Sequence, residues 1–200
     1  MKKSPYDNKP SEKWRGITEK LINKHPLKEK IVKIVLQSWD DIFNSKIGSF
    51  SIGKEILPSP QIMSFLLHEL VAHYLSLEFP GVYKVGEEKH EKDIHNIIDP
   101  SLGIEIKASS NKKQIFGNRS YAQPSSSKEG KDKNGYYIAI NFDKFSKKVS
   151  RPKIKLIRFG YIEHTDWIAQ TSETGQQARL KPETYSGKFI TLYDSSDTSK

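Results

Sequence analysis

The stretch Asp93 to Ser110, DIHNIIDPSLGIEIKASS, carries the residue types with the most chemical promise. An acidic residue precedes a turn, and Glu105-Ile106-Lys107 follows inside an apolar run. In a strand, residues two apart face the same side, so Glu105 and Lys107 share one face while Ile104 and Ile106 take the other. Packing Ile106 into a core fixes the strand and aims carboxylate and ammonium outward together. Two carboxylates favour a hard cation such as Mg²⁺, which keeps several of its waters. Such an ion acidifies one water and polarises a phosphate. A lysine beside two carboxylates stays protonated, which suits holding the attacking water better than deprotonating it. The catalytic candidates are Asp93, Glu105 and Lys107; the metal-site candidates are Asp93, Glu105 and Ile106.

The first carboxylate is placed by the hairpin. A turn closing symmetrically about residue 101 pairs Asp93 with Ser109 and sets odd-numbered residues of both strands on one face. A slip of one residue would separate Asp93 from Glu105 and Lys107. Asp99 competes for the role, but an aspartate before Pro100 in a turn has an ordinary structural use, and Asp93 is preferred. A bland reading also stands: Glu–Lys pairs are common on exposed sheet faces. Glu69, on an otherwise apolar helix, is a further catalytic candidate, because burying it unpaired is costly. It would approach the metal or hydrogen-bond Lys107. The run HELVAH is not a zinc motif, since His73 stands at i+5 from His68, off its face.

The elements that must hold these groups follow from periodicity. Residues 1–10 read as a flexible arm. Ser11 caps a first helix to about Asn23, and Pro26 starts a second that Gly48 ends. Ser59-Pro60 opens a third, Gln61 to Phe79, apolar nearly all round and so expected to be centrally buried. Strands are expected at Val82–Val85, Lys92–Ile98, Gly103–Ala108, Tyr136–Phe142, Ile154–Ile162 and Phe189–Tyr193. Residues 111–135 read as a flexible polar loop, residues 170–179 as a loop with a short helix, and residues 195–200 as a frayed tail. One domain over 11–194 results, helical over 11–80 and sheet-forming over 82–194. The fold class is α+β or mixed α/β around a small central sheet.

Composition narrows the partners. The 200 residues carry 33 Lys plus Arg against 24 Asp plus Glu, a net charge of +9 that suits a polyanion. With no cysteine, disulfides and thiolate metal sites are excluded. No apolar run approaches a membrane span and no signal peptide stands at the start, so a soluble protein of the cytoplasm is expected. Phe116-Gly117-Asn118-Arg119-Ser120-Tyr121 follows the Glu105 strand. There Gly117 permits close backbone approach, Asn118 and Arg119 can read base edges, and Ser120 and Tyr121 can bond phosphates. Gln176, Gln177 and Arg179 offer the same choices in a second polar segment. Lys112, Lys113, Lys128, Lys131 and Lys133 supply general phosphate attraction.

An aspartate and E-x-K after a helical glutamate resembles the PD-(D/E)-x-K nuclease superfamily. The ordered segments IEIKASS (104–110), IFGNRSYAQ (115–123), GYYIAINF (135–142), LIRFG (156–160) and TGQQARL (174–180) resemble type II restriction endonucleases of the ScaI family. Lys92 stands where the superfamily carries a proline. The resemblance implies a restriction-endonuclease-like core and a homodimer of a prokaryotic cytoplasm. It would cut both strands of a short palindromic DNA duplex with Mg²⁺, for which Mn²⁺ can substitute, leaving 5′-phosphate and 3′-hydroxyl ends. Asp93 and Glu105 would ligate the metal beside Lys107. Ser109, Gln123, Thr174 and Gly175 lie within the resembling segments and join the candidate DNA contacts. Two alternatives stay open: a junction or repair nuclease with the same chemical core, and a non-catalytic DNA-binding module.

Overall fold

The computed structural model describes residues 4–123, 132–146, 149, 151–172 and 174–197. Its helices are α1 Trp14–Asn23, α2 Ile31–Asn44, α3 Pro60–Leu77 and α4 Pro182–Gly187. Its strands are β1 Lys46–Ile47, β2 Phe50–Ser51, β3 Tyr83–Val85, β4 Ile94–Asn96, β5 Ile104–Ser109, β6 Phe116–Asn118, β7 Gly135–Phe142, β8 Ile154–Ile162, β9 Trp167–Ala169, β10 Gln177–Leu180 and β11 Phe189–Asp194. Six strands form the central sheet in the order β11-β8-β7-β5-β4-β3, and β6-β10-β9 form a second sheet. Only β5 and β7 run parallel within the central sheet, which is therefore mixed, as expected.

Strand β7 is buried along its whole length, as its unbroken apolar run requires of a central strand covered on both faces. Its even residues Tyr136, Ile138, Ile140 and Phe142 join Ile104 and Ile106 of β5 in the core beneath α2 and α3. Its odd residues Tyr137 and Ala139 face a second core with Ile115, Tyr121, Trp167, Ala178 and Leu180. In register, Glu105 lies beside Tyr137 and Lys107 beside Ala139. The period of two thus drives Ile106 under the helices and puts Glu105 and Lys107 on the face covered by the small sheet.

Helix α3 is capped by Ser59, whose Oγ accepts from Ile62 N, and starts on Pro60. Met63, Leu67, Val71 and Leu75, four apart, are buried, at roughly 1.5–3 kcal/mol each. The helix is not buried all round, however: Ile62, Phe65 and Leu77 are exposed, because only one flank packs on α2 and the sheet. Helix α2 begins at Ile31 rather than Pro26. His25 Nδ1 accepts from Leu27 N and closes a turn there, and a 3-10 turn over Lys28–Lys30 follows. Ser11 makes no cap; it opens a 3-10 turn ahead of α1. In the segment read as an arm, Tyr6 is buried, its hydroxyl bonded to Thr18 Oγ1 and to the Tyr161 carbonyl.

The hairpin closes differently from the symmetric expectation. Ile94 pairs with Ile104, so Asp93 falls opposite Glu105 and not Ser109. The cause is a longer connection, residues 97–103 instead of 99–102, centred two residues earlier. Asn96 Oδ1 accepts from Ile98 N and Asp99 N, which ends β4 early, and Asp99 Oδ1 accepts from Ser101 N to cap a 3-10 turn over Pro100–Leu102. The shift keeps odd residues facing odd, so Asp93 stays on the side of Glu105. Two further expectations fail. The polar segment 111–135, whose residues 124–131 lie outside the described ones, contains strand β6, and the loop with a helix expected over 170–179 contains the start of strand β10; β6 pairs with β10, which pairs with β9 on its other edge.

Candidate active site

Asp93 stands at the bend just before β4. Its Oδ2 accepts the Ile106 N–H at 2.7 Å, filling the place where a longer β4 would have continued the ladder, and contacts His68 Nε2 at 3.1 Å. On β5, Glu105 is 2% exposed at its side chain and accepts on Oε1 from Lys107 Nζ at 2.9 Å and from the Tyr121 hydroxyl. Lys107 Nζ also donates to the Ile106 carbonyl at 3.1 Å. One ammonium thus gathers a carboxylate oxygen and a main-chain oxygen, while the neighbouring N–H holds the second carboxylate. Asp93, Glu105, Ile106 and Lys107 are brought together by one strand and the bend beside it.

The donor set is one of hard oxygens: two carboxylates and the Ile106 carbonyl. Among the described residues, no three His, Cys, Asp or Glu side chains cluster closely enough to hold a metal. A centre here would draw on the carbonyl and on waters, which fits Mg²⁺ and disfavours zinc.

Helix α3 contributes a residue that sequence reasoning weighed only as a zinc ligand. His68 bridges two carboxylates, with Nε2 on Asp93 and Nδ1 3.1 Å from Glu69 Oε1. Burial disfavours its charge, but the hydrogen bond and charge of Asp93, joined by Glu69, outweigh that and hold its pKa above the ordinary histidine value. Glu69, expected to approach the metal or to hydrogen-bond Lys107, touches this imidazole. No local signal announced it: His68 lies one turn on from Ser64, whose hydroxyl contacts the Ala108 carbonyl of β5 only once the helix is packed on the sheet.

The two polar segments, distant in the chain, meet as adjacent strands. Asn118 pairs with Gln177, Gly117 with Ala178 and Phe116 with Arg179. Along β10, Ala178 and Leu180 are buried while Gln177 and Arg179 are exposed, so the latter pair shares its face with Asn118 and Phe116. A cleft of about 290 Å³ is lined by Lys107, Phe116, Gly117, Asn118, Tyr121 and Gln177. A neighbouring cleft of about 450 Å³ shares Phe116 and Gln177 and reaches Gln170, Ser172 and Arg179. The two make a path from the lysine across the small sheet.

The other candidates are distributed around this path. Ser120, Gln123, Thr174 and Gln176 are exposed and Arg119 is half-buried, its N–H donating to the Gln176 carbonyl at 2.7 Å. Gly117 makes a close approach to the protein itself: a Cβ there would lie 3.0 Å from the Tyr121 ring and 3.2 Å from Trp167. Gly175 is buried in a turn, where a Cβ would meet Ser172 Oγ at 2.5 Å. Tyr121 is buried against Glu105 and so is placed to serve the carboxylate, not an exposed phosphate. Ser109 Oγ caps the next turn by accepting from Asn111 N. Lys112 and Lys113 are exposed, and Lys133 Nζ lies 4.5 Å from the Tyr121 ring centroid. Lys128 and Lys131 fall outside the described residues. Arg158, not anticipated, donates to the Lys113 carbonyl and to Asn141 Oδ1, and Asn141 Nδ2 donates to the carbonyls of Asn111 and Gln114. This buried pair pins the turn that follows β5. Burial draws the Arg158 pKa down to about 10, leaving it charged at neutral pH.

The chain matches the ScaI restriction endonuclease family model over residues 4–193. It is 45% identical over 180 residues to the type II restriction enzyme ScaI of Streptomyces caespitosus, an alignment covering 88% of this chain and 79% of that enzyme. No helix among the described residues is long and apolar enough to cross a membrane. A family match across nearly the whole length, on a mixed sheet with this carboxylate and lysine arrangement, places the chain in the ScaI family of type II restriction endonucleases.

Proposed function

We propose that this chain hydrolyses phosphodiesters of duplex DNA in both strands of a short palindromic site, with Mg²⁺ as cofactor and Mn²⁺ as an effective substitute. The observation that carries the reading is the gathering of Asp93, Glu105 and the Ile106 carbonyl around one strand with Lys107, which itself lines a cleft shared with Asn118 and Gln177. Asp93, Glu105 and the Ile106 carbonyl would hold the ion, which when bound supplies an acidified water and neutralises charge on the phosphate. Lys107 holds the attacking water and the phosphate oxygen as a fixed cation. His68 keeps Asp93 oriented, and Glu69 steadies the imidazole from its other nitrogen. The products are a 5′-phosphate and a 3′-hydroxyl.

Asn118, Gln177 and Arg179 present amide and guanidinium groups of the kind that read adenine and guanine edges. Lys112 and Lys113 add sequence-independent attraction to phosphate. Each chain carries one such site, so cutting both strands of a twofold-symmetric duplex calls for two copies, and the working form is a homodimer.

Digestion of phage DNA tests the reading directly. Discrete fragments appear with Mg²⁺ and not with EDTA. Asp93→Ala, Glu105→Ala and Lys107→Ala keep duplex binding while cleavage falls by at least about 10²–10³-fold. Parental cleavage by any of the three would remove that residue from the site.

A further inference from the structure

From the contacts around Tyr121 we infer that this residue is a positioning device, tying the catalytic pair Glu105–Lys107 to the base-facing strand β6. The inference rests on the assignment of Glu105 and Lys107 proposed above. Tyr121 lies on a 3-10 turn over Arg119–Ala122 that begins directly after Asn118, the last residue of β6. Its hydroxyl donates to Glu105 Oε1, the oxygen that also accepts from Lys107 Nζ. Its ring centroid is 4.7 Å from Lys107 Nζ, close enough for a cation–π contact. One side chain therefore touches both members of the pair through two different interactions.

The other side of the ring is held by the small sheet. It packs on Trp167, the first residue of β9, with centroids 5.2 Å apart. The β6 backbone at Gly117 lies so close that a methyl group there would press on the ring at 3.0 Å. With the Gly117 backbone against the ring, a displacement of β6 is passed to Tyr121 and from it to Glu105 and Lys107. Asn118 and Gln177 line the same cleft as Tyr121 and Lys107. DNA seated on Asn118 and Gln177 thus sets the catalytic pair through Tyr121, and a wrong sequence that seats β6 poorly leaves the pair misplaced. Specificity is then exerted in the cleavage step as well as in binding.

Tyr121→Phe keeps the ring and deletes the hydroxyl. The test uses a duplex spanning a site that the parent cuts in phage DNA, and the same duplex with one base pair changed. In EDTA, fluorescence anisotropy should give Tyr121→Phe a duplex affinity within about twofold of the parent. Losing a hydrogen bond to a metal-ligating carboxylate typically costs 10–100-fold, so single-turnover cleavage of the cognate duplex should fall about tenfold or more. The Mn²⁺ concentration for half-occupancy, read by electron paramagnetic resonance, should rise severalfold, and the ratio of cognate to altered-site cleavage should shrink. Gly117→Ala, which loads the ring without touching its hydroxyl, should shift the cleavage ratio in the same direction. Parental cleavage and parental Mn²⁺ occupancy in Tyr121→Phe overturn the inference. So does a loss of cleavage that merely follows weakened binding, which makes Tyr121 a DNA contact. Glu105→Ala and Lys107→Ala run in parallel separate the two readings. If they still cleave, the site assignment fails; if they are inactive while Tyr121→Phe is parental, only the coupling fails.

Discussion

Acidification should weaken this fold through His25, a residue outside the chemistry that nonetheless braces the hairpin carrying it. His25 is 3% exposed, wedged edge-on against Tyr136 and Phe159, and burial lowers its pKa from 6.5 to about 4. Its bonds explain why charging is resisted. Nδ1 accepts from Leu27 N, so the neutral ring carries its proton on Nε2 and donates it to the Leu102 carbonyl at 3.0 Å. A second proton on Nδ1 would face the Leu27 N–H. The folded pKa lies below the unfolded one, so between pH 6.5 and 4 the unfolded chain binds more protons and stability falls as pH falls. Integrating that difference, the loss attributable to His25 is about 2 kcal/mol at pH 5 relative to pH 7, approaching about 3 kcal/mol below pH 4. His25→Gln keeps a donor for Leu102 and removes the titration. Urea unfolding of both proteins at pH 7 and pH 5 gives the measurement. The parent should lose about 2 kcal/mol more than the variant over that interval, whatever the variant's stability at pH 7. Equal losses would mean that His25 is charged in the folded protein, or solvated, and the tautomer argument would fail.

The remaining predictions concern the periphery and the small sheet. Lys188 Nζ is buried between Glu163 and Asp166, 2.9 Å from each, and burial already pushes the Asp166 pKa up. Lys188→Met strands both carboxylates and should cost about 3–5 kcal/mol in urea unfolding; a change within about 1 kcal/mol would show the pair to be solvated. Arg179→Ala should relax discrimination at one base position of the recognition site by about 1–3 kcal/mol while leaving cleavage chemistry intact. Sequencing the ends cut from a randomised duplex library reads this, and an unchanged set of cut sites would take Arg179 out of base recognition.

What could be read from the chain, and what could not, divides along a physical line. Glu105 and Lys107 lie two apart in one strand, so their shared face follows from the pleat alone. Asp93 depends on a hairpin whose expected centre was misplaced, because Asn96 and Asp99 hydrogen bonds end β4 early and build a longer turn that symmetry could not foresee. The error was harmless to the site: the observed pairing keeps the parity of the expected one, and parity decides the face, while register decides only the distance along it. β6 and β10 lack such protection. Each is a short segment, β6 paired with β10 and β10 set between β6 and β9, and no local periodicity announces a partner as far along the chain as β10 is from β6. His68 escaped for the same reason, since its role exists only once α3 crosses Asp93.

The same division bears on how the enzyme is constructed. The groups proposed for chemistry stand on β5, locked between two cores, and on the bend beside it, whereas the groups proposed for reading bases stand on two short strands, β6 and β10, over one face of it. A rigid strand preserves the half-ångström placement that catalysis needs. A small sheet with exposed Asn118, Gln177 and Arg179 can exchange its outward side chains without disturbing Ala178 and Leu180 beneath. Changes of recognition should therefore be tolerated at the outward positions and rejected at Gly117 and Tyr121, where the two layers touch.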